Sequence, residues 1–168
     1  MKTLVHAIDK LVSWIGRAVG WLNIVLIVVV VVDVTLRWFL SLTAAWVIEL
    51  EWHLFALIFL LGIPYALQQD RHVRVDLFYE GFSVRDRGTV NLVGAALFLI
   101  PWAIVLLYTS AHYAYESWLS GEGSPNPNGI PCYFPIKSVV PLAAALLILQ
   151  GLAEAWKASR LRHQPDGE

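Results

Sequence analysis

The sequence is poor in charge and in cysteine, and it has no surplus of basic residues. Charged residues make up 15% of the 168 residues, whereas soluble domains carry about 25%. The single cysteine, Cys132, excludes an intrachain disulfide and a cysteine-rich metal site. The net charge of −1 gives no basic surface for nucleic acid. Phosphate-loop and zinc-hydrolase spacings are also absent, so we predict no enzyme and no cofactor.

Long apolar runs are what the sequence does contain. Hydrophobic residues account for 58% of the chain and the mean hydropathy is +0.61, which predicts an integral membrane protein. About 20 apolar residues cross a bilayer. We therefore predict an all-α membrane protein with one membrane domain over residues 1–160 and a polar tail over 161–168. Its four predicted transmembrane helices are residues 20–39, 46–68, 89–118 and 136–156.

Two further segments are predicted to lie along the membrane rather than cross it. Residues 1–20 have apolar side chains at helical spacing with charged residues off that face, which is typical of an interfacial amphipathic helix. A packing helix against another subunit fits the same pattern. The charged loop over residues 69–88 contains enough apolar residues to lie partly on the membrane surface. In the third helix, we expect Pro101 to produce a kink.

The placement of lysine and arginine predicts the orientation. Ten of the twelve basic residues fall in the N-terminal segment, in the loop between the second and third helices, or in the tail. The opposite side has only Arg37 and Lys137, each at the end of a predicted helix. The positive-inside rule then places both termini in the cytoplasm.

Several ionisable residues lie at the ends of the predicted helices, where each needs a partner or a wet surface. Asp33 and Arg37 are four residues apart and could pair on one helix face. Arg37 also lies across a short turn from Glu49, so a pair between them could tie the first helix to the second. Glu51 and His53 follow on the second helix. We interpret these groups as structural pairs or interface groups, since the helix centres are too apolar for a proton or ion path.

Two histidines leave a different function open. His53 and His112 fall at similar depth on neighbouring predicted helices, and facing histidines can ligate a haem. The alternative function is therefore a four-helix haem-bearing anchor of a respiratory oxidoreductase. A histidine hydrogen-bonded within the bundle is the simpler interpretation, because a haem pocket needs supporting groups as well.

A set of short motifs resembles a known family. Asp33-Val34-x-x-Arg37-Trp38-Phe39 is followed by Trp46-x-x-Glu49-Leu50, by Gly62, and by the segment His72-Val73-Arg74-Val75-Asp76-Leu77. Together they resemble the small membrane subunit, of DctQ type, of the tripartite ATP-independent periplasmic (TRAP) transporters of bacteria and archaea. The sequence Gly62-Ile63-Pro64 departs from the small residues that the family commonly has there.

The resemblance implies a division of labour. A periplasmic binding protein captures an organic acid, and a large membrane subunit imports it with a sodium gradient. The small subunit braces the large one in the bacterial inner membrane and binds neither substrate nor sodium. On this resemblance we assign residues in and next to the motifs to the subunit interface or to structural pairs: Asp33, Arg37, Trp46, Glu49, Glu51, His53, Gly62, Arg71, His72, Arg74 and Asp76.

Overall fold

The computed structural model describes residues 1–69 and 82–162, and that part of the chain is entirely helical apart from its connections. Four helical segments are long and apolar enough to cross a membrane, which confirms the predicted all-α class. The helices are α1 (Lys2–Leu40), α2 (Ala45–Gln68), α3 (Val84–Gly94), α4 (Ile100–Ser120) and α5 (Phe134–Leu161), and a π-helical turn (Ala95–Leu99) joins α3 to α4 without a break.

Helix α5 lies at the centre of the bundle, where it contacts α1, α2, α3 and α4. A third of its most apolar window is buried, against about a tenth or less for the other helices. Most of its buried positions are small, and Ala144, Gly151 and Ala158 recur every seven residues on one face. Small residues let helices approach closely where lipid supplies no hydrophobic driving force. The other helices are therefore arranged around α5.

The first helix differs from the prediction because it is continuous from Lys2 to Leu40. A boundary was predicted at Gly20, but a lone glycine is tolerated in a helix and the residues before it are fixed by packing. Val5, Val12, Gly16 and Val19 are buried, and a side chain at Gly16 would collide with the ring of Tyr65 on α2. Residues 2–20 thus extend α1 along the bundle, and their location in the headgroup region stays a prediction.

The third membrane-crossing helix begins at Val84, within the segment predicted as a loop. Ser83 caps it, because its hydroxyl accepts a hydrogen bond from the Asp86 N–H at 3.2 Å. Pro101 has no N–H to donate within the helix, and the turn before it widens to π geometry, with the Ile100 N–H donating to the Ala95 carbonyl. A π-turn is thus the observed response to this proline.

The helix ends place two polar regions at opposite ends of the bundle. One lies where the connection from α4 to α5 meets the start of α2. That connection begins at Gly121, whose φ of 62° ends α4 in the left-handed conformation. The other lies where the first turns of α1 meet the last turns of α2 and α5.

Candidate functional sites at the two ends of the bundle

The first site is a carboxylate enclosed by the connection between α4 and α5. Glu49, in the second turn of α2, is 3% exposed. Its Oε1 accepts hydrogen bonds from the Ser124 hydroxyl and from Asn126 Nδ2 at 3.1 Å. Its Oε2 accepts the Ile130 N–H at 2.6 Å. We call Glu49, Ser124, Asn126 and Ile130 the Glu49 cluster. An ionised carboxylate that accepts three such bonds fixes the loop on α2.

The loop is shaped to fit this carboxylate. The Ser124 N–H donates to the Ile130 carbonyl at 2.9 Å, which closes a turn around the position of Asn128, whose φ is 61°. A Cβ on Gly129 would meet Ser124 and would lie 2.8 Å from Glu49 Oε1. Glycine is therefore required at this position by the close approach of the loop to the carboxylate.

An ion pair anchors the same loop to α5. Lys137 Nζ donates to Glu122 Oε2 and lies 4.0 Å from the centre of the Tyr113 ring. The hydrogen bond from Lys137, supported by one from Ser117, lowers the pKa of the Glu122 carboxyl from its usual 4.5. The loop is thus held at both of its ends by carboxylates in their charged form.

His53 lies one turn after Glu49 and belongs to the same region. Its Nδ1–H donates to the Glu49 carbonyl at 2.5 Å. Its ring packs against those of Trp52 and Tyr133, with centroid distances of 4.1 and 5.8 Å. His112, in contrast, is exposed on α4, and α2 and α4 each pack on α5. This geometry gives no support to a haem between the two histidines.

Arg37 does not reach Glu49, so that predicted pair is wrong. The Arg37 guanidinium pairs instead with Asp33, four residues earlier on α1, which confirms the other predicted pair. Asp33 is 4% exposed, and the arginine compensates its charge at the helix surface. Glu49 is already surrounded by loop donors, and these could not be identified from sequence because Ile130 lies 81 residues away.

The other predicted site residues lie apart from the Glu49 cluster. Trp46 is exposed. Glu51 is half-buried, and its Oε1 has no hydrogen-bond partner within the part of the chain that the structure describes. Gly62 has open space around it, with no atom within 4 Å of an added Cβ. The remaining predicted residues lie outside the described residues: Arg71, His72, Arg74 and Asp76.

The second polar site was not predicted. Gln150, in the middle of α5, is fully buried, and its Nε2 donates to Asp9 Oδ1 at 3.0 Å and to Glu154 Oε1 at 2.8 Å. Lys157 Nζ donates to the same two oxygens at 2.8 and 2.9 Å. Gln68 Nε2 donates to the Asp9 carbonyl at 2.6 Å. We call these five residues the Lys157 cluster.

The Lys157 cluster ties three helices together, since its members come from α1, α2 and α5. Two carboxylates share one ammonium and one amide, so the lysine side chain is fully engaged. A glutamine within an otherwise apolar helix was the available sequence signal, because a buried amide in a membrane helix needs partners. Its partner Asp9 is 141 residues away, which no local pattern indicates.

A groove of about 1040 Å³ opens beside the Lys157 cluster. Its lining is mostly apolar and includes Leu67, Phe98, Trp102 and Leu147, with Glu154 and Lys157 at one side. A binding site for an organic acid needs convergent polar groups and a cation. Lys157 is bonded to two carboxylates, so the groove offers an apolar surface rather than an anion site.

The arrangement was compared with known proteins. Residues 26–161 match the model of the family described as tripartite ATP-independent periplasmic transporters, DctQ component. The match covers more than half of the chain and includes the Glu49 cluster and every member of the Lys157 cluster except Asp9. A search of curated proteins finds no match.

Proposed function

Because the chain belongs to the DctQ family of TRAP transporter components, we propose that it is the small, non-catalytic subunit of a sodium-driven importer. In this proposal a periplasmic binding protein delivers an organic acid, and a large membrane subunit transports it. The present chain braces the large subunit in the bacterial inner membrane. It is a multi-pass membrane component, with both termini on the cytoplasmic side.

The observation that supports the bracing role is that polar groups at both ends of the bundle bond helices to each other and to the loop between α4 and α5. The Glu49 carboxylate accepts three bonds from the loop, and Lys157 is shared by two carboxylates. These groups connect helices to each other. Glu154 and Lys157 also border the groove, but Lys157 is bonded there to two carboxylates and is not available to an anionic solute. Polar groups that are bonded across helices favour one rigid arrangement, which is what a brace requires.

The exposed surface of the bundle supports association within the membrane. In the π-helical turn and α4, large apolar side chains such as Phe98, Trp102 and Tyr108 are more than two-thirds exposed. These groups are suited to contact either lipid or the helices of a large subunit. The outer helices of this bundle are apolar and are held together by α5. When the bundle binds a large subunit, it increases the area that the complex occupies in the membrane.

The structure separates the predicted interface residues into two groups. Asp33, Arg37, Glu49 and His53 are bonded within the chain, so we assign them structural roles. Trp46, Glu51 and Gly62 remain candidates for contact with the large subunit, because they are exposed, have an unpaired atom or have space around them. His53 Nε2 also has no partner among the described residues, although its Nδ1 is bonded to the Glu49 carbonyl. The interface role of the segment Arg71–Asp76 stays a prediction.

Affinity purification of the tagged chain from cells that also express the large subunit tests this proposal. We expect the two subunits to elute together in mild detergent, since the apolar surface needs a partner of similar character. Recovery of the chain alone under conditions that keep the large subunit folded would contradict it. Soret absorbance in the purified chain would favour the haem-bearing anchor instead.

A further inference from the structure

Four exposed residues form a stripe on the first half of α1. Lys10, Trp14, Arg17 and Trp21 are separated by four, three and four positions, which places them on one face of the helix. Trp14 is 66% exposed and Trp21 is 71% exposed, and both cations are exposed as well. We call these residues the basic–aromatic stripe. It precedes residue 26, where the family match begins.

The positive charge of the stripe is not neutralised by the described residues. Asp9 is the only acidic residue among the first 32, and it is turned towards Lys157 and Gln150 on α5. Three other lysines and arginines are paired with carboxylates: Arg37, Lys137 and Lys157. Within residues 1–69 and 82–162, Lys10 and Arg17 have no ion pair. This face therefore presents two available cations beside two indole rings.

Helix geometry gives the depth of the stripe relative to a bilayer. Arg17 and Arg37 lie on the same helix, and 20 residues at 1.5 Å each separate them by about 30 Å. The hydrocarbon core is also about 30 Å thick. When the Asp33–Arg37 pair lies at one edge of the core, Arg17 therefore lies at the other edge. Trp14 and Trp21 flank it, and Lys10 lies about 10 Å farther along the axis.

We propose that the basic–aromatic stripe binds the phosphate headgroup of an anionic phospholipid. Tryptophan favours the boundary between hydrocarbon and headgroups, where its ring is apolar and its N–H is solvated. Lysine and arginine extend along a membrane helix to place their charge among the headgroups. The cations suit the phosphate of a lipid, and the indole rings suit the adjoining boundary with the acyl chains. This inference concerns the chain and the membrane, and it does not depend on the transporter function.

Native mass spectrometry of the full-length chain in detergent, with phosphatidylglycerol and phosphatidylcholine in competition, tests the proposal. The variant K10Q/R17Q removes both stripe cations. The matched control R85Q/R162Q removes two exposed arginines at the same end of the bundle but outside the stripe. A charge-retaining variant, K10R/R17K, checks that the side-chain change alone does not alter binding.

We expect the wild type and the control to retain phosphatidylglycerol in preference to phosphatidylcholine. Each cation near an anionic surface contributes about a fivefold preference, so K10Q/R17Q should lower it by about 30-fold. K10R/R17K should keep the wild-type preference. All variants should elute as folded, monodisperse protein, because the substituted side chains are exposed.

Two results would overturn the proposal. In the first, K10Q/R17Q and R85Q/R162Q have the same preference for phosphatidylglycerol, whether both lose it or both keep it. The stripe cations would then contribute no more than other cations at this end of the bundle. In the second, K10Q/R17Q keeps the preference for phosphatidylglycerol but no longer copurifies with the large subunit. The stripe would then be a protein interface instead.

Discussion

Replacement of Glu49 by glutamine gives the sharpest test of the loop attachment. The substitution keeps the size of the side chain and removes its charge. The amide oxygen can still accept hydrogen bonds from Ser124 and Asn126, but the amide nitrogen then faces the Ile130 N–H, which donates at 2.6 Å in the wild type. Two donors cannot bond to each other, so the partly buried Ile130 N–H loses its acceptor.

The size of the effect follows from these three bonds. A buried donor left without a partner costs about 1–3 kcal/mol. The two remaining bonds change from charge-assisted to neutral and lose roughly half of their strength. Together these changes amount to about 2–4 kcal/mol of local stability at a residue that is 3% exposed.

Hydrogen–deuterium exchange of peptides covering residues 121–133 measures this loss. We expect the protected loop amides, including Ser124 and Ile130, to exchange on the order of 100-fold faster in E49Q, because exchange reports the free energy of local opening. Glu51→Gln is the matched control, since Glu51 lies on the same helix and its Oε1 has no described partner. Unchanged exchange in E49Q, or equal acceleration in both variants, would refute the role of the carboxylate.

Three further predictions concern the two clusters and the Lys137–Glu122 ion pair. Gly129→Ala should also accelerate hydrogen–deuterium exchange of the loop over residues 121–133, because its Cβ would lie 2.8 Å from Glu49 Oε1. The control Gly94→Ala should leave this exchange unchanged, because its Cβ meets no atom within 4 Å. Lys157→Met should lower stability to thermal unfolding in detergent by about 1–3 kcal/mol, because it leaves two partly exposed carboxylates without their ammonium. The control is Lys10→Met, at an exposed position, which should change this stability by less than about 0.5 kcal/mol. The stability difference between wild type and Glu122→Gln, followed by thermal unfolding against pH, should be largest above pH 4.5.

The sign of the pH effect follows from the lowered pKa of Glu122. A carboxyl whose pKa is lower in the folded state stabilises that state while it is ionised. This contribution is present above the usual value of 4.5 and is lost as the pH falls through the folded-state pKa. A stability difference between wild type and Glu122→Gln that grows on acidification would contradict the ion pair between Lys137 and Glu122. Equal loop exchange in Gly129→Ala and Gly94→Ala would contradict the close approach assigned to Gly129. Equal stability of Lys157→Met and Lys10→Met would contradict the role assigned to Lys157.

The four membrane-crossing helices could be predicted because apolar length alone specifies them. The boundaries were less accurate for identifiable reasons. The amphipathic pattern predicts a helix that ends at Gly20, but packing of Gly16 and Val19 continues α1 through it. The start of α3 at Val84 depends on the Ser83 cap, which lies in a charged segment with the composition of a loop.

The two polar clusters show where sequence reasoning ends. Asp33 and Arg37 are four residues apart, so their pair could be predicted from helix periodicity. Glu49 was recognised as important, but its partners belong to a loop about 80 residues later. Asp9 and Gln150 meet only because α1 and α5 pack together. Such contacts depend on the tertiary arrangement and leave no local pattern.

The central claim is that this chain is a required bracing subunit of a TRAP importer. Uptake of the organic acid into proteoliposomes containing the large subunit, with the binding protein outside and an inward sodium gradient, tests it most directly. The claim predicts uptake when this chain is reconstituted with the large subunit and little or none when it is omitted. Undiminished sodium-driven uptake by the large subunit without this chain would contradict it.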